Sequence, residues 1–235
     1  MKRMSILLMA LLLVGAAPPP EGSQAPQPAA GKGGYRYQLF VPRGYAAARS
    51  QRWPLIIFLH GSGERGEDID KVRVHGPPKI VADHPGFPFL LVSPLLAADA
   101  DWDVAKLDAL LAAVRRRWRV DADRIYLTGL SRGGHATWRW AASAPDLFAA
   151  IAPVSGRGDP AQACALRDLP VWAFHGDADD VVPPVGSFAM VEAIRACGGK
   201  PRLTIYPATG HDGWTPTYDD PALYRWLLEQ RRVRR

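Results

Sequence analysis

Between Arg124 and Pro145 the chain has few ways to fold. Residues 124–128 (RIYLT) form a short apolar run with β-branched and aromatic side chains, suited to a buried strand. Gly129-Leu130-Ser131-Arg132-Gly133 follows, and residues 134–144 read as a helix that Pro145 stops. A strand joined to a helix through Gly-x-Ser-x-Gly must bend so tightly that only small neighbours fit, and the bend holds the serine hydroxyl clear of the backbone. The helix beginning there aims free N–H groups and the positive end of its dipole at the space beside that hydroxyl. Ser131 is therefore the candidate nucleophile.

A chain of 235 residues with 48 % hydrophobic content can bury one sizeable core, and its length requires no second domain. The first residues read differently. Lys2 and Arg3 precede a run from Met4 to Ala17 that is apolar but for Ser5 and ends in Gly15, Ala16 and Ala17, the layout of an export signal. The run is short for a bilayer span, so no stable membrane insertion is expected after its removal. Residues 18–34, rich in Pro, Ala, Gly and Gln, read as a flexible leader, which leaves 35–235 as the folded domain of a secreted or periplasmic protein. Without Lys2 and Arg3, the remaining 27 basic and 23 acidic residues leave a net charge of +4. Much of it lies in the tail 231–235 (RRVRR), which reads as a solvated end and not a nucleic-acid surface, because no interleaved aromatics accompany it. Cys164 and Cys197 could pair in an exported protein, but a loop position and a helix-end position do not require it.

Along the chain, residues 35–42 (YRYQLFVP) look like a strand near a sheet edge. Residues 54–60 (PLIIFLH) and 87–94 (FPFLLVSP) are continuous apolar runs, as expected of strands covered on both faces. Val104, Leu107, Leu111, Val114 and Trp118 recur every three or four residues and form the core stripe of a helix. Beyond the Ser131 turn, strands are expected at 148–154, 170–175 and 202–206, with helices at 183–197 and 221–231. This alternation implies an α/β fold with a mainly parallel sheet of about seven strands between helices, and with functional groups at the carboxyl ends of the strands.

A serine hydroxyl needs a base within hydrogen-bond reach and a third group to orient that base. In this architecture the acid and then the histidine should follow later strands. His175-Gly-Asp-Ala-Asp-Asp-Val-Val-Pro183 follows one of them and Thr209-Gly-His211-Asp-Gly-Trp214 another. Among Asp177, Asp179 and Asp180 the acid is Asp179, because Asp177 lies nearer the strand end and suits a turn-bracing role; Asp180 is the main rival. His211, in a glycine-flanked loop after the last strand, is the base, while His60, His75, His84, His135 and His175 read as structural. His60-Gly61-Ser62-Gly63 ends the strand at 54–60, and its glycines let the backbone turn inward. The oxyanion donors are accordingly the N–H groups of Ser62 and Arg132.

The blocks PLIIFLHGSGERGED, RIYLTGLSRGG, PVWAFHGDADDVVP and ATGHDGW together resemble the α/β-hydrolase superfamily, and within it the carboxylesterase and phospholipase-like branch that is related to dienelactone hydrolases. The resemblance covers residues 35 to about 230, and by it Ser131, Asp179 and His211 match the family triad. Two departures stand out: dienelactone hydrolases proper carry a cysteine nucleophile, and Arg132 replaces the methionine often found after the nucleophile.

These residues point to acyl transfer to water through an acyl-enzyme, with a small-molecule ester as substrate and no need of a metal or an organic cofactor. The connection between Val154 and Pro170 is too short for a large cap. Trp102, Trp214 and Tyr218 lie near strand-end loops and are candidates for an aromatic substrate wall, with core packing an equal alternative. A prolyl-oligopeptidase-like peptidase is the enzymatic alternative to an esterase, and a non-catalytic binding protein on the same fold is the alternative of another class.

Overall fold

Eight strands form one sheet in the computed structural model, which describes residues 17–29 and 31–232. They are β1 (Ser23–Gln27), β2 (Tyr37–Val41), β3 (Trp53–Leu59), β4 (Leu90–Pro94), β5 (Val120–Leu130), β6 (Ala150–Val154), β7 (Trp172–Gly176) and β8 (Arg202–Tyr206). Their order across the sheet is β1-β2-β4-β3-β5-β6-β7-β8. The two pairings made by β2 are antiparallel and all the others are parallel. The helices are α1 (Pro77–Ile80), α2 (Val104–Arg117), α3 (Arg132–Ser143), α4 (Val185–Ala196), α5 (Trp214–Asp219) and α6 (Pro221–Glu229).

Strand β3 shows why the apolar runs are continuous. Leu55, Ile57 and Leu59 belong to one core with Leu107, Leu111 and Val114 of α2 and Trp140 of α3. Ile56 and Phe58 alternate into a second core with Leu223, Trp226 and Leu227 of α6. Successive side chains of a strand point to opposite faces, so a sheet covered on both faces needs apolar residues at every position. Each such side chain, when fully buried, contributes roughly 1.5–3 kcal/mol. Of the stripe expected on α2, Leu107, Leu111 and Val114 are buried, as is Trp118 at the helix C-cap, while Val104 is half-buried; Asp103 caps the helix by accepting the Lys106 N–H at 3.1 Å.

Two expectations need correction, and one question left open by the sequence is answered. Residues 23–27, placed in a flexible leader by composition, form the edge strand β1, paired with β2 from Ser23↔Val41 to Gln27↔Tyr37. An edge strand is held by backbone hydrogen bonds and tolerates Pro26, so it carries no apolar signature to read. Glu21 ties the same segment down by accepting the N–H groups of Gly44, at 2.9 Å, and of Ala46. The basic tail is not wholly solvated either: Arg232 Nη2 lies 3.0 Å from Asp123 Oδ1, and its Nη1 donates to the Asp146 carbonyl at 3.1 Å. Finally, Cys164 and Cys197 are joined in a disulfide, which fastens the 3-10 helix Pro160–Leu166 to the residue that caps the end of α4. The export-signal expectation falls almost wholly on residues 1–16, outside the described residues.

The sheet order sets β5 between β3 and β6, and close backbone contact brings their carboxyl ends together. A Cβ on Gly133, in the first turn of α3, would lie 1.8 Å from the Leu59 carbonyl oxygen and 2.8 Å from that of His60. The start of α3 thus rests directly on the end of β3, a contact only glycine permits.

Candidate active site

Ser131 sits between β5 and α3 with φ 51° and ψ −115°, a positive φ that a non-glycine residue rarely adopts. Such a conformation costs about 1–3 kcal/mol and persists only where the surroundings enforce it. Here the Ser131 N–H donates to the Val154 carbonyl at the end of β6 (2.9 Å), and the Ser131 carbonyl accepts the His135 N–H (2.9 Å). The bend expected from Gly-x-Ser-x-Gly is present.

The structure brings Ser131, His211 and Asp179 together in one line of hydrogen bonds. His211 Nε2 is 2.9 Å from Ser131 Oγ, and His211 Nδ1 is 2.7 Å from Asp179 Oδ2. Asp179 is buried, and its other oxygen, Oδ1, accepts the N–H groups of Val181 (3.0 Å) and Val182 (2.9 Å). Burial opposes ionisation of Asp179, but the bonds from His211 and from the two backbone N–H groups outweigh it and hold the carboxyl below its usual range. The turn-bracing role expected of Asp177 belongs to Asp179 itself, whose two oxygens face in two directions. Asp177 and Asp180 are both exposed.

The loop bearing the histidine is spliced onto the loop bearing the acid. The Asp177 N–H donates to the Tyr206 carbonyl at 3.0 Å and the Ala178 N–H to the Thr209 carbonyl at 3.0 Å. Parallel pairing of β7 with β8 is thereby continued past the strand ends, so the sheet register itself places His211 over Asp179.

Ser62 and Arg132 also meet: Arg132 Nε donates to Ser62 Oγ at 2.9 Å. Arg132 opens α3, so its N–H lies in the first turn, where no helical acceptor exists. The Ser62 loop is braced from below by His60. The Leu96 N–H donates to His60 Nε2 (3.0 Å), which leaves Nδ1 as the protonated nitrogen, and Nδ1 donates to the Gly61 carbonyl (2.7 Å).

The expected aromatic wall is only partly there. Trp102 is buried, packs on His60 and Tyr35 and donates through Nε1 to the His60 carbonyl; it supports the loop from the core. Tyr218 is also buried, against Phe58, with its hydroxyl 2.8 Å from Thr128 Oγ1. Strand-end position in the sequence does not tell which way a ring points, and both rings point inward. Trp214 alone lies at the relay, half-buried and edge-on to His211 with ring centroids 5.1 Å apart. Trp214 also meets His75, with ring centroids 5.7 Å apart.

A cleft of about 580 Å3 opens beside Ser131. The residues that give it character were not singled out by the sequence: Arg139, Arg157, Asp101 and His135, joined by the side chain of Arg132. Asp101 lies between two guanidinium groups, 3.3 Å from Arg132 and 3.5 Å from Arg139. His135 accepts the Arg157 N–H at Nδ1 (2.8 Å), and burial lowers its pKa below the usual histidine value. These residues come from three separate segments of the chain, so only the folded backbone groups them.

The chain is similar to known hydrolases in sequence and in fold. Residues 102–220 match the phospholipase/carboxylesterase family model. A curated protein of Nocardia uniformis subsp. tsuyamanensis, "Putative esterase NocK", is 30 % identical over 179 residues, which are 70 % of this chain and 51 % of that protein. A "Putative carboxymethylenebutenolidase" of Salmonella typhimurium is 32 % identical over 146 residues, 58 % of this chain and 52 % of that protein. The chain thus spans about half the length of the curated relatives it matches. The crystal structure of a thermostable esterase superposes with a TM-score of 0.72 at 31 % identity, covering 84 % of this chain and 59 % of the other.

Proposed function

The chain belongs to the phospholipase/carboxylesterase family of α/β-hydrolases, and from that premise we propose that it hydrolyses carboxylic esters by a serine mechanism. Ser131 Oγ attacks the ester carbonyl carbon while its proton passes to His211 Nε2. The oxyanion that forms is met by the N–H groups of Ser62 and Arg132. Collapse expels the alcohol, which takes the proton from His211, and leaves an acyl-enzyme on Ser131. Water then attacks that ester, with His211 as base, and the acid product departs. Asp179 keeps His211 in the tautomer with Nδ1 protonated and stabilises the imidazolium formed in each half-reaction.

One observation carries this reading: a serine held at positive φ with its hydroxyl 2.9 Å from an imidazole whose other nitrogen is 2.7 Å from a buried carboxylate. The arginines of the adjoining cleft favour substrates with a polar or anionic portion over long apolar chains. The Cys164–Cys197 disulfide, added to Lys2, Arg3 and the apolar run after them, supports export to an oxidising compartment.

The test is labelling with a fluorophosphonate, which reacts only with an activated serine, followed by a substrate panel. Ser131→Ala should abolish labelling and lower ester turnover by on the order of 10⁴–10⁶-fold. The panel compares p-nitrophenyl esters of graded chain length, esters bearing a carboxylate and chromogenic peptides. Cleavage of peptides without esters would replace the esterase reading with a peptidase one, and a folded protein that takes no label is a binding protein.

A further inference from the structure

The relay contains one more imidazole than its chemistry uses. His175, near the end of β7, is fully buried, and its Nε2 lies 3.2 Å from Asp179 Oδ2, the same oxygen that receives His211. Nε2 also lies 2.7 Å from the Val182 carbonyl oxygen. An ionised carboxylate and a carbonyl can only accept, so Nε2 must carry a hydrogen and share it between them. On the far side of the ring, His175 Nδ1 is 2.8 Å from Ser187 Oγ of α4, and that hydroxyl donates to the Gly156 carbonyl at 3.0 Å. Burial opposes protonation of the ring, against the pull of Val182 O and Asp179.

We propose that His175 is a positioning residue for the relay, a second histidine that donates to Asp179 Oδ2 and divides its charge with His211. This rests on the reading of Ser131, His211 and Asp179 as the hydrolytic machinery. With His175 in place, Asp179 Oδ1 accepts the N–H groups of Val181 and Val182, while Oδ2 has His211 Nδ1 at 2.7 Å and His175 Nε2 at 3.2 Å. A carboxylate bound on all sides cannot rotate, and its acceptor strength toward His211 is shared with a fixed competitor. Among the described residues, the titratable groups facing the His175 ring are Asp179 from its own loop and His211 from the loop after β8; α4 and the segment after β6 contribute the Ser187 hydroxyl and the Gly156 carbonyl. A histidine serving packing alone would not need to share an oxygen with the base.

If the inference holds, removing the Nε2 donor leaves Oδ2 wholly to His211, which strengthens the imidazolium. One hydrogen bond of ordinary net strength corresponds to about 0.5–1 pH unit, so the acid limb of kcat/KM should move up by that amount in His175→Phe, and the plateau should fall about 3–10-fold. His175→Gln, whose amide can reach the same oxygen, should return the limb to its wild-type position. His175→Leu repeats the first arm with a smaller side chain should phenylalanine not fold. A second readout needs no turnover: the downfield NMR resonance of the proton between His211 Nδ1 and Asp179 should move in the apolar variants and return in the glutamine variant. Wild-type protein that cleaves no ester would defeat the proposed function and leave this readout standing. A folded apolar variant with an unmoved acid limb or resonance overturns the inference, as does a glutamine variant indistinguishable from the apolar ones.

Discussion

Gly176 ends β7 directly against Gly210: a Cβ on Gly176 would lie 2.4 Å from the Gly210 carbonyl oxygen and 2.2 Å from that of Thr209. The acid loop and the histidine loop therefore touch backbone to backbone, and the 2.7 Å bond from His211 to Asp179 depends on that approach. Gly176→Ala should push the loops apart, with an overpacking cost of about 1–3 kcal/mol. We expect kcat/KM for a p-nitrophenyl ester to fall at least about tenfold, since small misplacements of reacting groups are costly. Wild-type kinetics in the alanine variant would mean that the loops are not coupled.

Tyr218 and Trp102 offer the converse test. If Tyr218 is core and not a substrate wall, Tyr218→Phe loses the 2.8 Å bond to Thr128 and about 1 kcal/mol of stability. KM should stay unchanged for every ester in the panel. A change in KM confined to aryl esters would return the ring to the substrate.

The depressed pKa of Asp179 makes part of the stability pH-dependent. A carboxyl whose folded pKa lies below its unfolded value, about 3.9, stabilises the fold fully above that value. The contribution is lost as pH falls through the lowered folded value. In Asp179→Asn the group no longer titrates, so Tm should vary less between about pH 4 and pH 2 than in the wild type. Parallel Tm profiles for the two proteins over that window would show that Asp179 is not held ionised.

The disulfide closes a loop over a sequence separation of 33. In the chain-entropy account that constraint contributes about 3–4 kcal/mol. The double variant Cys164→Ser, Cys197→Ser should melt lower by on the order of 10 °C for a domain of this size. Its ester turnover at low temperature should be preserved, because neither cysteine reaches the cleft. Equal melting of wild-type and variant protein under non-reducing conditions would argue that the bond does not form.

Much of this molecule is written locally. The strand, Gly-x-Ser-x-Gly and helix around Ser131, the apolar run of β3 and the stripe of α2 each rest on residues adjacent in the chain or repeated at a fixed spacing. Such signals survive without knowledge of the fold. Asp179 and His211 are legible for a related reason: each lies in a glycine-containing loop after a strand, and parallel topology sends those loops to one edge of the sheet.

What the tertiary structure alone decides is everything that depends on direction or on contact between distant segments. Nothing in the order of residues says that Trp102 and Tyr218 turn inward while Trp214 meets His211, or that Arg139 and Arg157 border one cleft. Likewise β1 has no apolar pattern because its bonds are made by backbone. His175 reads as an ordinary buried histidine until the turn after β7 folds Asp179 back onto it. Periodicity and turn chemistry act over a few residues, whereas the facing of side chains is settled by packing across the whole sheet, and that is why the sequence shows the elements and only the fold shows the site they build.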